Sequence, residues 1–291
     1  QPVRISEILI PDEEWLADLL PKFLAEIRLG SKSFESRYGS EIMAAFGLTK
    51  VKAASGEKID MQLELVSSDG VEMELTGFSI KSQLGSPSTL LNASGHTICV
   101  FDFGGASCDA KDLDALNNHG GVKRQIAARL RNATRDGIGL LGSRWTSSTF
   151  QRNLALVDTN LPALLSDLLL FSYQTEETRI AKLLPIYAQS KEADLSVLEA
   201  IFKRLLLDIA LGMVPGSPWN GSWRAYGGYL VVRSSGDVVA FTMRNFDSFK
   251  DYLFTQAKFD TPSTGRYELG EFVSRGDKLE MALSAQIRFA S

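Results

Sequence analysis

The chain has 291 residues, which is enough for one large domain or for two modest domains that share an interface. Its 44% hydrophobic and 23% charged residues exclude a disordered or fibrous protein, because both values lie near those of soluble globular proteins. With 35 acidic and 31 basic residues the formal charge is -4, so a nucleic-acid partner would have to be bound by local clusters.

The first predicted elements are two helices. Apolar residues recur at helical spacing over 16–27, directly after the acidic run 12–14 at the positive end of that helix. A second helix is predicted to begin near Ser33 and to stop at Gly47. Glu35 would then lie in the first turn of the second helix.

A β-hairpin is predicted next. Apolar and polar residues alternate over 59–65 and again over 71–76, and the residues 67–70 between them have turn chemistry. Beyond Gly77 the polar positions change from even to odd numbers, and this slip predicts a β-bulge at the glycine. A further strand is predicted over 97–103.

The rest of the chain is predicted to be helical in the middle and rich in strands at the end. A Pro/Gly/Ser-rich connector at 214–220 separates these two parts. The predicted helices lie around 122–131, 161–173, 178–187, 195–211 and 249–254, and the late strands around 229–233, 237–243, 266–273 and 279–289.

Cysteine content and hydrophobic runs favour a cytoplasmic location. Cys99 and Cys108 are too few for a disulfide framework and lack zinc-site spacing. The first residues show no secretory signal pattern, and the longest apolar stretch, 161–171, is too short and too polar to span a membrane. We therefore expect no membrane partner.

The hairpin carries residue types that suit phosphodiester hydrolysis. That reaction needs carboxylates to hold Mg²⁺, and a nearby ammonium helps to orient water or to offset developing charge. A bulge at Gly77 would turn Ser79 and Lys81 towards the face that carries Asp60. This is the arrangement of PD-(D/E)xK nucleases with Ser79 in place of the second acid. From spacing alone, two solvated side chains on an exposed hairpin are the commoner interpretation.

Two parts of the chain resemble the HpaII family of type II restriction endonucleases. Residues 76–94, TGFSIKSQLGSPSTLLNAS, are similar to the signature segment of that family, and FDTPSTGRY (259–267) and QIRF (286–289) are similar to its closing motifs. Gly265 and Tyr267 depart from the family, in which a hydroxyl residue and a histidine are expected. The resemblance implies a PD-(D/E)xK-like fold, Mg²⁺ dependence and a CCGG-type target.

This resemblance implies one nuclease unit of the α+β or α/β class, with a mixed β-sheet core and flanking helices. We expect a catalytic core over 12–108, a helical section over 109–215 and a β-rich section over 216–291 that is suited to DNA recognition. Such folds commonly place a further metal-binding acid on a helix before the hairpin, and Glu35 is the best-placed candidate. A helix-dipole acid is the alternative for this residue.

Further residues are expected to contact the reacting groups or the DNA. Gln83 shares the face of Ser79 and Lys81 and would bind a metal-bound water or a phosphate, with plain solvent exposure as the alternative. Arginine reads guanine best, whereas pairing with Glu268 or Glu280 would make the terminal arginines structural. The predicted DNA-binding residues are Ser86, Ser88, Thr89 and Asn92, which would also suit a plain turn, together with Arg266, Gln286 and Arg288, and more weakly Arg244 and Asn245.

The leading hypothesis from the sequence is Mg²⁺-dependent, sequence-specific cleavage of double-stranded DNA. We expect a homodimer, because a twofold-symmetric enzyme matches a palindromic site. One alternative is a repair or recombination nuclease that reads DNA structure. Another is a non-catalytic DNA-binding or interaction protein, which the replacement of an acid by Ser79 would favour.

Overall fold

The computed structural model describes most of the chain. The described residues are 13–29, 36–45, 59–63, 76–83, 88–105, 110–118, 122–233, 235, 237–242, 245–261, 269–276 and 278–290.

The described residues form a mixed α and β fold, as predicted. The helices are α1 (Glu13–Leu29), α2 (Arg37–Ala45), α3 (Ala110–Asn117), α4 (Val122–Arg135), α5 (Ser148–Val157), α6 (Leu161–Thr175), α7 (Ile180–Lys191), α8 (Leu195–Leu211) and α9 (Phe246–Gln256). The strands are β1 (Met61–Leu63), β2 (Thr76–Ser82), β3 (Thr89–Leu91), β4 (Ile98–Gly104), β5 (Gly139–Trp145), β6 (Gly228–Val232), β7 (Val238–Phe241), β8 (Ala257–Phe259), β9 (Phe272–Arg275), β10 (Lys278–Ser284) and β11 (Ile287–Phe289).

The strands form three small sheets, each of which joins early and late parts of the chain. Their strand orders are β1-β2-β6-β7, β5-β4-β10-β9 and β3-β11-β8. The β2–β6 pair is parallel and its neighbours are antiparallel, so the first sheet is mixed, as predicted. The strands of the predicted recognition section therefore share sheets with those of the predicted catalytic core, and the division into sections stays a prediction.

Apolar helices pack behind these sheets and fill the core. Leu165 and Leu169 of α6, with Leu205 and Leu206 of α8, are fully buried. The carboxylate of Asp194 caps α8 by accepting hydrogen bonds from the backbone N–H groups of residues 196 and 197. Such burial of aliphatic side chains is the main favourable contribution to folding here.

In the described ranges, no single helix is long and apolar enough to cross a membrane. One pair, α5 with α6, passes the length and composition test only when the two helices are taken together, and it is bent by 104° at the break. Cys99 is a free, buried cysteine of β4, and its burial raises the pKa of the thiol to about 12. Cys108 lies outside the described residues.

Several predicted elements have different limits in the structure. The strand β5 interrupts the predicted helical middle, and the predicted strand over 279–289 is divided between β10 and β11, which belong to different sheets. The Ala285 backbone N–H donates to the carbonyl of Thr97 at this break. Residues 269 and 270 form a turn instead of continuing the strand predicted over 266–273, because Gly270 has a φ of 79°.

The second helix begins later than predicted. The Ser36 side chain accepts a hydrogen bond from the Gly39 backbone N–H at 2.8 Å, which is a capping contact, and the helix starts at Arg37. The first turn of the helix, as described from Arg37 onwards, contains no acidic residue. Glu35 itself lies outside the described residues.

Candidate active site and nucleic-acid interface

Asp60 is held against the strand that carries Lys81. Its backbone N–H donates to the carbonyl of Phe78 at 2.8 Å, which continues the antiparallel pairing of β1 with β2. Its carboxylate Oδ2 accepts hydrogen bonds from the Ser79 hydroxyl at 3.1 Å and from the Ile80 backbone N–H at 2.7 Å. The structure therefore brings Asp60 and Ser79 together, while the other carboxylate oxygen takes no hydrogen bond from any described residue.

Lys81 lies two residues beyond Ser79 on β2 and therefore on the same face of the strand. Ser79 is fully enclosed, at 1% exposed, whereas Lys81 is half-buried and Asp60 is exposed. Within the described ranges Lys81 forms no ion pair. A half-buried ammonium without a carboxylate partner is available for an anion such as a phosphate.

The predicted bulge at Gly77 is wrong. The β1–β2 register runs without a shift through the pairs Met61 with Phe78 and Gln62 with Gly77. Phe78 and Ser79 point to opposite faces of β2, yet both are buried, so alternation of polarity does not report which face is exposed. A different constraint requires a glycine: a Cβ atom at position 77 would lie 3.0 Å from the side chain of Ile59 and 3.1 Å from the backbone carbonyl oxygen of Arg224.

This close approach predicts the effect of Gly77→Ala. The added methyl group would push β1 or the 224 segment away, and we expect the free energy of unfolding to fall by about 1–3 kcal/mol. Gly142→Ala in β5 is the matched control, because nothing lies within 4 Å of its added Cβ. Chemical denaturation of both variants measures the difference, and equal stabilities would contradict the packing argument.

Gln83 is bound within the protein instead of facing solvent. Its side-chain Nε2 donates to the hydroxyl of Tyr252 in α9 at 3.0 Å, and burial raises the pKa of that tyrosine. The Tyr252 ring centroid lies 6.0 Å from the ring of Phe289 in β11. Tyr252, which the sequence analysis missed, thus connects the strand of Lys81 to the last sheet.

Tyr229 is a second aromatic residue at this site. It is the register partner of Ser79 in the β2–β6 pair and is fully buried. Its hydroxyl has no hydrogen-bond partner in the described part of the chain. Burial raises the pKa of Tyr229 well above its ordinary value, and the nearby Tyr252 and Asp60 raise it further, so the hydroxyl stays protonated.

The fit of this site to Mg²⁺ depends on Asp60. The described residues contain no group of three His, Cys, Asp or Glu side chains that could hold a metal ion. Mg²⁺ commonly binds through one or two protein carboxylates and completes its coordination with waters and substrate phosphates. Asp60, with one carboxylate oxygen not hydrogen-bonded, fits that requirement as the described ligand, and Glu35 is the candidate outside the described residues.

Another group of predicted residues meets on one face of the sheet β3-β11-β8. In the β11–β8 pair Arg288 is opposite Lys258, and in the β11–β3 pair it is opposite Thr89. Gln286 precedes Arg288 by two residues, and its backbone carbonyl accepts from the Asp260 N–H at 2.9 Å. The first residues of the closing motif 259–267, which are the described ones, therefore lie beside the motif 286–289.

The acid that pairs with Arg288 is Asp260. Nε of Arg288 lies 3.2 Å from Oδ2 of Asp260. The two groups form an ion pair, but the geometry of this contact is not that of a hydrogen bond. Arg288 thus pairs with a neighbouring acid, as the structural alternative for this residue predicts, but the acid is Asp260 and not Glu280, which Arg144 binds at 2.8 Å. Gln286 is 6% exposed, and its Oε1 has no hydrogen-bond partner among the residues that the structure describes.

The remaining predicted contacts are scattered. Ser88 donates through its hydroxyl to the carbonyl of Ser82, and Asn92 is exposed. Thr89 lies in strand β3 and therefore not in a turn. The Asn245 side chain accepts from the backbone N–H of Thr242 at 2.6 Å before α9, which gives it a structural contact. The predicted residues outside the described part are Glu35, Ser86, Arg244 and Arg266.

Comparisons with known proteins agree with this arrangement of motifs. The family model described as HpaII restriction endonuclease matches residues 4–289. The type II restriction enzyme HpaII of Haemophilus parainfluenzae is 33% identical over 275 residues, which cover 91% of this chain and 75% of that enzyme. No solved structure matches the chain. The family match spans both the strand of Lys81 and the sheet that contains Arg288.

Proposed function

The chain belongs to the HpaII restriction endonuclease family and is a type II restriction endonuclease, and we propose that it cuts double-stranded DNA at a CCGG-type palindrome with Mg²⁺ as cofactor. The observation that supports the chemistry is the arrangement of Asp60, Ser79 and Lys81 on one hairpin. A carboxylate lies there on the strand next to an ammonium that forms no ion pair with any described residue. This is the pair that a PD-(D/E)xK nuclease needs.

Each of these residues has a separate role in the proposal. Asp60 holds the cation through the carboxylate oxygen that its own strand neighbours leave unbonded. Ser79 and the Ile80 backbone N–H orient that carboxylate, so the enclosed Ser79 is a positioning residue. Mg²⁺, when bound, supplies Lewis acidity and lowers the pKa of a coordinated water. Lys81 places its positive charge where the negative charge of the phosphate increases in the transition state.

The sheet face around Arg288 is the proposed reader of the DNA. A CCGG target presents guanine O6 and N7 acceptors in the major groove, and a guanidinium donates to both of them. Arg288 has the required group on a half-exposed strand position, and Gln286 beside it has an unsatisfied amide oxygen. We propose a homodimer in which two such faces read the two halves of the palindrome.

Incubation of plasmid DNA with the purified protein tests this function directly. We expect discrete fragments with Mg²⁺, none with EDTA, and ends that map to CCGG. Fragments that map to another fixed sequence would overturn the proposed target, whereas cuts confined to branched or damaged DNA would overturn sequence-specific cleavage itself. Sedimentation of the protein alone and on a CCGG duplex tests the homodimer, which a single copy per duplex would contradict.

A further inference from the structure

Two further cationic residues, Lys258 and Arg179, lie beside Arg288. Lys258 is the register partner of Arg288 in the β8–β11 pair. Arg179, directly before α7, forms an isolated antiparallel bridge with Lys258. We name Arg179, Lys258 and Arg288 the cationic row.

The pairing brings the three residues close together. Residues directly opposite each other in antiparallel pairs share a face, with Cα atoms about 4.5–5.5 Å apart. The Phe259 backbone N–H donates to the carbonyl of Thr178 at 2.8 Å, which fixes the bridge next to the regular β8–β11 pairing. The cationic row therefore crosses the sheet over about 10 Å.

The charges of the row are not balanced within the protein. Arg288 has Asp260 as its partner, but in the described part of the chain neither Arg179 nor Lys258 forms an ion pair. The acids that precede Arg179 in the chain have other contacts: Glu177 accepts the backbone N–H of Arg179, and Glu176 pairs with Arg131. Like charges opposite each other destabilise a sheet, so the row has an energetic cost that a bound anion would offset.

A separate observation on the same face also indicates a ligand. Gln286, opposite Asp260, is 94% buried, and no hydrogen bond reaches its Oε1 in the described part of the chain. A buried amide oxygen without a partner is unfavourable, and most such groups in proteins are satisfied. The protein alone thus leaves this face incomplete in both charge and hydrogen bonding.

The row also lies next to the end of the Lys81 strand. Ser82 ends β2, and its carbonyl accepts a hydrogen bond from the hydroxyl of Ser88. Thr89 follows directly and is the register partner of Arg288. A polyanion bound at Lys81 therefore needs to extend only a short distance to reach the row.

We propose that Arg179 and Lys258, with Arg288, bind successive phosphates of the DNA backbone beside the cleavage site. Phosphates of one strand follow each other at about 3.4 Å along the duplex axis and farther apart along the winding backbone, so a row of about 10 Å is long enough to contact two or three of them. This inference rests on the proposed DNA substrate. It assigns Arg179 and Lys258 to backbone contact, which carries no sequence information.

The double variant R179Q/K258Q tests the row through the salt dependence of binding. Each phosphate contact contributes about 0.9 to the slope of log K against log salt, so removal of two contacts should lower that slope by about 1.8. Fluorescence anisotropy with labelled CCGG and scrambled duplexes in EDTA measures it. The loss of affinity should be equal on both duplexes.

R135Q/K191Q is the matched control, because it removes two positive charges from exposed helical positions elsewhere. R179K/K258R should retain the wild-type slope, and unchanged circular dichroism excludes misfolding. A slope equal to that of the control, or a loss restricted to the CCGG duplex, would overturn the row. If the wild-type protein neither binds nor cuts DNA, the proposed function fails instead, so the two failures are distinguishable.

Discussion

Replacement of Lys81 by alanine should lower the rate of DNA cleavage about 10²–10³-fold while the affinity for DNA changes by less than about threefold. The proposed demand for its positive charge is largest in the transition state, when the charge on the phosphate is redistributed. Lys81 has no ion-pair partner within the described ranges, so its removal leaves no carboxylate unpaired there. Single-turnover cleavage and anisotropy on the same CCGG duplex measure the two effects separately.

Lys191→Ala controls for the loss of one positive charge, since this exposed lysine at the end of α7 is remote in the chain from the hairpin. The control should cut at the normal rate. If Lys81→Ala cut normally in Mg²⁺, or if its affinity and cleavage fell by the same factor, the assignment of Lys81 to the chemical step would be wrong.

Asp60→Asn should also abolish cleavage, through loss of the cation. The asparagine oxygen can still accept the hydrogen bonds from the Ser79 hydroxyl and the Ile80 N–H, so the hairpin should keep its structure. The negative charge that holds Mg²⁺ is lost, and we expect cleavage to fall by about 10³-fold or more at the Mg²⁺ concentration that suffices for the wild type. A Mg²⁺ titration of the cleavage rate separates weak binding from a direct effect.

Glu72→Gln serves as the control for Asp60→Asn. Glu64, Glu72 and Glu74 belong to the same predicted hairpin but lie nearer its turn, outside the described residues, and we expect all three to tolerate substitution. Near-normal cleavage by Asp60→Asn would refute its role as a metal ligand. The same conclusion would follow if Glu72 or Glu74 proved to be the essential acid.

The local parts of the site could be predicted from the sequence. Alternation of polarity indicates the hairpin, and strand periodicity places Ser79 and Lys81 on one face. That this face also carries Asp60 is predicted through a bulge at Gly77, and the structure brings the residues together without that bulge. These features depend on neighbours within about 20 residues along the chain. The hydrogen bonds of Asp60 to residues 79 and 80 are contacts of this kind.

Contacts between distant segments could not be predicted. Gln83 binds Tyr252 across 169 positions, and nothing in the sequence near Gln83 indicates an aromatic partner. The constraint on Gly77 comes from Arg224, whose approach no local pattern reports. The change of polarity beyond Gly77 suggests a bulge only as long as one face of β2 is taken to be exposed, whereas Phe78 and Ser79 are buried on opposite faces.

The basic residues show the same limit. A row of cations across a sheet cannot be seen in the sequence when its members are residues 179, 258 and 288, because these residues are far apart along the chain. The formal charge of -4 does not indicate a polyanion partner either, because a net charge does not show where the positive charges lie. Only the pairing of β8 with β11, and the bridge before α7, bring the charges together.

The combination of early and late strands in every described sheet has a consequence for biosynthesis. Strand β2 gains its parallel neighbour only when residues 228–232 have left the ribosome, and β3 gains β11 only after residue 289. Pairing over such separations is slow and must wait for the later segment. The hairpin that carries Asp60 and Lys81 therefore stays without its parallel neighbour until these later residues are available, so the proposed catalytic residues are fixed in place only late in folding.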